Sequence, residues 1–190
     1  MIKRLFDIIA SFFGLLLLSP LFLIIIVIIK LKTRDSIFFK QQRTGRYGNL
    51  FTIYKFRTMK SDHRGNTVSV KGEGRITPVG AFLRKYKLDE LPELLNVLKG
   101  DMSFVGPRPD MPEYFEKLKD EERKILHLRP GLTGPATIKY ANEEELLSTV
   151  ENPKKYNDEI IWPDKVRINL DYYYNRNFLI DLKIIFRTLF

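Results

Sequence analysis

The sequence predicts an α+β protein, mostly helical, in which an N-terminal re-entrant membrane helix-hairpin precedes a small domain with a short β-hairpin and amphipathic interfacial helices. Three observations carry this. Ile8 to Ile29 is a run of 22 residues without a charge. Two stretches rich in β-formers, Ser36–Lys40 and Phe51–Arg57, flank a turn-rich segment. Most of residues 78–190 has helical patterning, with proline and glycine at the expected ends. The boundary falls near residue 32, with a membrane segment over 1–32 and a surface-associated domain over 33–190.

The uncharged run exceeds the ~20 residues that span a hydrocarbon core as a helix. A secretory leader would have an apolar region of only about 7–15 residues and a small-residue cleavage site. This run is longer and ends in Lys30-Leu31-Lys32-Thr33-Arg34, so it reads as a retained segment. Ser19-Pro20 stands in its middle. Proline removes a backbone donor and crowds the preceding turn, so a bend or break is expected there, with the Ser19 hydroxyl able to cover a freed carbonyl. Both flanks are basic, Lys3 and Arg4 before and Lys30, Lys32 and Arg34 after, and positive flanks favour the cytoplasmic side. A hairpin keeps both flanks on that side; a kinked spanning helix separates them. Physics alone leaves both open.

Along the rest of the chain, Arg43–Asn49 reads as the loop of a hairpin, and Ser61–Gly80, with four glycines, as a long loop that matches no phosphate-binding glycine motif. Pro78–Lys87 is expected to be a short basic helix. Leu88–Gly100 is expected to be another, with Asp89 as N-cap, Pro92 in the first turn and Gly100 closing it. Met111–Leu128 reads as one charged amphipathic helix, and Glu143–Val150 and Pro163–Asn175 as two more. Phe178–Phe190 gathers its few polar residues on one side, which suits a helix lying in a membrane interface or one packed on a core.

The chain has 32 Lys+Arg against 23 Asp+Glu, and the imbalance is local: 15 basic and 5 acidic residues lie between Lys30 and Glu90. Such a field attracts polyanions, whether nucleic acid, anionic lipid or phosphorylated substrates. The absence of cysteine excludes disulfides, thiolate catalysis and Cys-based zinc sites. With only His63 and His127, and no G-x-S-x-G segment, both histidines read as bystanders.

Chemistry concentrates between Leu88 and Pro109. Asp89 and Glu90 are adjacent carboxylates following Arg84, Lys85 and Lys87. Two neighbouring carboxylates can hold one Mg²⁺, which bridges to substrate phosphates, and an aspartate can attack phosphorus to give an acyl phosphate. The plainer reading is a helix cap with a dipole partner. Arg108 sits between Pro107 and Pro109, which fix the backbone and hold the guanidinium for bidentate phosphate binding, or simply make a turn.

The segment Leu88-Asp89-Glu90-Leu91-Pro92 through Gly106-Pro107-Arg108-Pro109 resembles the signature of the bacterial sugar transferase family, the monotopic phosphoglycosyl transferases, in their minimal form. The resemblance runs over nearly the whole chain, through Lys3–Asp7, Ser19-Pro20, Gln42–Gly45, Tyr54–Met59, Leu128–Gly134 and Asp181–Lys183. It implies that Asp89 attacks the β-phosphorus of a UDP-sugar, releasing UMP, that Glu90 helps hold Mg²⁺, and that a polyprenol phosphate then takes the phosphosugar. Lys55, Arg57, Arg84 and Arg108 are our own candidates for neutralising the phosphates. The resemblance also implies a re-entrant hairpin broken at Ser19-Pro20, a place at the bacterial inner (cytoplasmic) membrane with the catalytic domain on the cytoplasmic face, and membrane lipid but no nucleic acid as partner. A homo-oligomer is left open. One departure is Gly134-Pro135-Ala136-Thr137, where many relatives have Gly-Trp-Ala-Gln, and it bears on sugar preference. The competing readings are a membrane-tethered protein that binds anionic lipid or nucleic acid without catalysis, and a transferase that moves the sugar without its phosphate.

Overall fold

A computed structural model of the protein describes residues 2–33, 35–60 and 75–190. Arg34, His63 and most of the expected 61–80 loop lie outside the described residues. The fold is mostly helical, with two small two-stranded sheets among the described residues, and it divides into two compact units. Among the described residues, the first comprises 2–33, 35–41, 52–60 and 75–100; the second comprises 42–51 and 101–190.

The first unit begins with α1, Ile2–Lys32, a helix long and apolar enough to cross a membrane. It runs without interruption through Pro20, so two separate helices broken at Ser19-Pro20 are not seen. The reason is local. Pro20 has no N–H for the Leu16 carbonyl four residues back, and Ser19 Oγ donates to that oxygen at 2.8 Å. Ile25 and Ile29 of α1 are buried with Phe56 and Leu83, and the Phe56 ring meets Phe22 and Phe38 at 5.4 and 5.5 Å. Arg4, near the other end, donates to the carbonyls of Val97 and Leu98 at 2.6 and 2.9 Å. The unit therefore holds α1 on both sides of Pro20. Ile8, Ile9, Phe12, Phe13, Leu16 and Leu17 remain exposed, apolar surface of the kind that marks a membrane or protein contact.

Strands β1, Phe38–Thr44, and β2, Leu50–Phe56, form the expected hairpin, with β1 reaching into the segment predicted as loop. Its turn has Tyr47 at φ 60 and Gly48 at φ 80. Helix α2, Pro78–Lys85, starts from an N-cap in which Thr77 Oγ1 accepts from the Gly80 N–H. The next helix differs from expectation. Leu88–Glu93 is a 3₁₀ segment and only Leu94–Lys99, α3, is α-helical, closed by Gly100 at φ 99. Asp89 caps neither; Lys87, at φ 56, holds the N-cap position of the first segment. The ring of Pro92 disfavours the α conformation at the residue before it, Leu91.

In the second unit, β3, Ser103–Val105, pairs in parallel with β4, Gly131–Thr133. The Met111–Leu128 segment is not one helix. It divides into α4, Pro112–Glu116, and a 3₁₀ segment, Asp120–His127, because Lys119 is extended and Asp120 has φ 29. Helices α5, Pro135–Lys139, α6, Glu143–Ser148, α7, Pro153–Tyr156, and α8, Trp162–Asn175, come next along the chain. In α9, Phe178–Leu189, Ile184 is buried with Val105 and Tyr172, whereas Leu179, Phe186 and Leu189 stay exposed. One face thus joins a core, and the other exposes these apolar side chains together with Lys183 and Arg187.

Gly106, Gly131 and Gly134 let the β3–β4 backbones meet. A Cβ on Gly131 would lie 2.1 Å from the Gly106 nitrogen, and one on Gly106 2.2 Å from the Arg129 oxygen. Both contacts are with backbone, which cannot swing aside. Gly131→Ala is therefore expected to destabilise the fold by at least about 2 kcal/mol in denaturant unfolding, and an unchanged midpoint would contradict this close approach.

Candidate active site

Within the first unit the 3₁₀ geometry of Leu88–Glu93 brings side chains three apart onto one side. Glu90 and Glu93 consequently face the same partner. Lys55 of β2 places its Nζ 2.6 Å from Glu90 Oε1 and 3.2 Å from Glu93 Oε1. The Glu93 side chain is only 3% exposed. The shorter contact is a hydrogen bond; the longer one is an ion pair whose geometry makes no hydrogen bond. The register of Lys55 is fixed by Asn96, which is fully buried and lies along β2. Its Oδ1 accepts from the Tyr54 N–H at 3.3 Å and its Nδ2 donates to the Thr52 carbonyl at 2.8 Å.

Asp89, also buried, is treated differently. Its Oδ1 has no hydrogen-bond partner among the described residues. Burial pushes its carboxyl above the ordinary carboxylate range and Glu90 adds to this, against the opposing pull of Lys55, Arg84 and Lys87. A buried oxygen left without a partner costs on the order of 1–3 kcal/mol. Such an atom is free to act as nucleophile or metal ligand. Asp89 and Glu90 offer hard carboxylate oxygens that fit Mg²⁺, which is commonly held by one or two carboxylates together with substrate phosphates. Among the described residues no three carboxylate, histidine or cysteine side chains form a cage that would hold a metal without substrate.

The sequence candidates separate. Lys55, Arg84, Asp89 and Glu90 act on one another in this unit. Arg57, one residue beyond the end of β2, is turned to Ser36, with Nε donating to its carbonyl at 2.8 Å and a terminal nitrogen to its hydroxyl at 2.6 Å. Arg108 belongs to the second unit, where it lines a hollow with Thr44, Gly45, Pro107 and Pro130. Asp110 is two residues on; burial raises its carboxyl while Lys165, Arg108 and Arg43 pull it down. Ser19 and Pro20 lie in α1, where the serine hydroxyl serves the helix backbone. His127 rests against the rings of Tyr47 and Tyr173, an aromatic setting and not a catalytic triad.

Sequence reasoning missed Glu93 and Asn96, and named Lys87 only as part of the basic run before the carboxylates. Glu93 stands three residues after Glu90, a spacing that signals a shared face on any helical segment. Asn96 interrupts the apolar Leu94-Leu95-Asn96-Val97-Leu98 run, which hints at a buried polar duty.

The family pattern described as bacterial sugar transferase matches residues 1–190. The uncharacterised sugar transferase EpsL of Bacillus subtilis is 39% identical over 98% of the chain and 85% of its own length. The UDP-N-acetylgalactosamine-undecaprenyl-phosphate N-acetylgalactosaminephosphotransferase of Aeromonas hydrophila is 35% identical over 99% of the chain. The UDP-glucose:undecaprenyl-phosphate glucose-1-phosphate transferase of Klebsiella pneumoniae is 37% identical over 99% of the chain. The chain spans 43% and 39% of the lengths of the latter two.

A carboxyl raised by burial is better tolerated by the fold when neutral, so its contribution to stability increases as pH falls through the folded-state value. Asp89→Asn is therefore expected to leave the thermal midpoint at pH 7 unchanged or higher. Lys55→Ala, which removes the ammonium that Glu90 and Glu93 share, is expected to cost roughly 3 kcal/mol. Differential scanning calorimetry checks both, and a clear fall for Asp89→Asn would make that carboxylate a structural group.

Proposed function

Since the chain belongs to the bacterial sugar transferase family, and is thus a transferase, we propose that it moves a sugar 1-phosphate from a UDP-sugar to a polyprenol phosphate. The observation that carries this reading is the buried, unpartnered carboxylate oxygen of Asp89 beside a Lys55-held Glu90. The named relatives use a sugar nucleotide and undecaprenyl phosphate. They carry different sugars, N-acetylgalactosamine and glucose, so the donor sugar is a property of the individual chain.

In this mechanism Asp89 Oδ1 forms a bond to the β-phosphorus of the donor. The bond from that phosphorus to the oxygen bridging it to the α-phosphate breaks, and UMP leaves with the electron pair. An oxygen of the polyprenol phosphate then attacks the same phosphorus, the acyl–phosphate bond breaks, and the Asp89 carboxylate is restored as polyprenyl diphosphosugar departs. Lys55 sets Glu90 in place and lends positive charge beside the reacting phosphate, with Arg84 and Lys87 contributing to the same field. Arg108, held between two prolines, is proposed to bind donor phosphate. Mg²⁺, held by Asp89 and Glu90, would neutralise diphosphate charge. Phosphoryl transfer needs positioning and charge neutralisation more than acid–base machinery, which agrees with a site built from carboxylates and cations.

The re-entrant topology is part of the proposal. Arg4 at one end of α1 and Ile25 and Ile29 toward the other are held by the same compact unit. With both ends held by one body, α1 is proposed to enter and leave the bilayer by one face, which requires a bend within its continuous helix, and Ser19-Pro20 is the point suited to it. The basic flanks favour the cytoplasmic side of the inner membrane for that face, where a water-soluble sugar nucleotide can reach it.

The test is the released nucleotide across a panel of UDP-sugars with polyprenol phosphate in nanodiscs. UMP is expected; UDP would indicate glycosyl transfer without phosphate. Asp89→Asn should lower turnover at least about 10³-fold, and Glu90→Gln roughly 10²-fold with a weaker response to Mg²⁺. Because the nucleophile must be ionised and its carboxyl is raised, wild-type activity should fall on acidification at a pH above the usual carboxylate value of about 4. Full turnover by Asp89→Asn would remove it as nucleophile.

A further inference from the structure

The opposite face of β2 carries a second feature that the reaction does not use. Successive side chains of a strand point to opposite faces. Lys55 is directed to Glu90 and Glu93, so its neighbour Tyr54 faces away from them. Two ammonium groups converge on the Tyr54 ring: Lys99 Nζ lies 4.9 Å and Lys40 Nζ 5.8 Å from its centroid. Both lysines are exposed, and among the described residues neither forms an ion pair with a carboxylate. Two like charges drawn to one ring without a counter-ion favour an anion between them.

The position of Arg4 gives the height of this ring along α1. Lys99 is the last residue of α3, and the Val97 and Leu98 carbonyls just before it accept from Arg4. Gly100, the next residue, lies against that guanidinium, since a Cβ there would sit 3.0 Å from it. Arg4 is in the first turn of α1, just before the uncharged run and its exposed apolar surface. Lys99, and with it Tyr54 and Lys40, therefore stands at the level where the membrane helix passes from polar to apolar. Tyrosine rings and lysine heads favour that level, and lipid phosphates are found there.

We propose that Lys40, Tyr54 and Lys99 form a binding site for the headgroup phosphate of an anionic phospholipid, which sets the depth of the first unit on the bilayer. The occupant is a bulk phospholipid rather than the acceptor, because the site and the Asp89–Glu90 pair lie on opposite faces of β2. The proposal rests on α1 being seated in a membrane, and it does not depend on the reaction assigned to Asp89.

The full-length protein would be reconstituted in nanodiscs of phosphatidylcholine with about one quarter phosphatidylglycerol, a composition that gives the surface a negative potential, and its co-released lipids counted by native mass spectrometry. The wild type is expected to retain phosphatidylglycerol in preference to phosphatidylcholine. Lys40→Ala with Lys99→Ala should lower that preference roughly tenfold or more, given about a fivefold weakening for each lysine lost at an anionic membrane surface. Lys40→Arg with Lys99→Arg should keep it, which separates charge from folding. Lys154→Ala, an exposed lysine in the second unit, serves as the control and should change nothing. Equal phosphatidylglycerol retention by the double alanine variant and the wild type would overturn the proposal. So would unchanged retention with a raised KM for polyprenol phosphate in pure phosphatidylcholine, which would make these lysines an acceptor site. UMP release by the wild type is measured separately, so its failure would count against the reaction and not against this site.

Discussion

The first unit depends on one lysine held between two glutamates. Lys55 meets Glu90 at 2.6 Å and Glu93 at 3.2 Å, and this leaves Asp89 beside them with a buried oxygen and no hydrogen bond to it. A fold optimised for stability alone would pair that oxygen or replace it with an apolar group. Its neighbours instead supply positive charge while burial opposes ionisation. This combination gives a carboxylate that can ionise and is poorly solvated when it does, as a nucleophile toward phosphorus should be. Asn96 matters for the same reason, since it locks α3 to β2 and so keeps the lysine in register with the 3₁₀ segment.

The attachment of α1 has equally local causes. The Arg4 guanidinium donates to carbonyls at the end of α3, where helical partners run out. Ile25, Ile29 and Phe22 fill a core with Phe56 and Leu83. Helix α1 and the segment bearing the carboxylates are thus parts of one compact body. For an enzyme proposed to join a water-soluble donor to a lipid acceptor, this is a direct way to keep the reacting carboxylate at the bilayer surface.

Much of this was legible in the sequence, and the failures have physical causes. The uncharged run, the β-formers around Gly45-Arg46, and the proline and glycine ends of α2, α3 and α8 all announced their elements. The adjacent Asp89 and Glu90 marked a charged pair, and the structure sets that pair beside Lys55. Asp89 looked like an N-cap because Asp before an apolar run is a strong helix-start signal, but Pro92 turns that stretch into a 3₁₀ segment that the aspartate does not cap. The Met111–Leu128 pattern fitted one helix because periodicity is blind to the positive φ at Asp120 that divides it. The β3–β4 pairing joins three-residue strands far apart in the chain, too short to show alternation. Lys55 and Arg57 were equivalent candidates by spacing. The end of β2 at Phe56 separates them, and strand ends are poorly marked in a sequence.

The most direct measurement is the mass of residue 89 during turnover. Enzyme in nanodiscs, mixed with UDP-sugar in the absence of polyprenol phosphate and quenched in acid, should yield a peptide containing Asp89 that is heavier by one phosphosugar. The added mass should disappear when polyprenol phosphate is supplied before quenching. An unmodified peptide throughout, while lipid-linked product still accumulates and UMP is released, would contradict a covalent intermediate on Asp89.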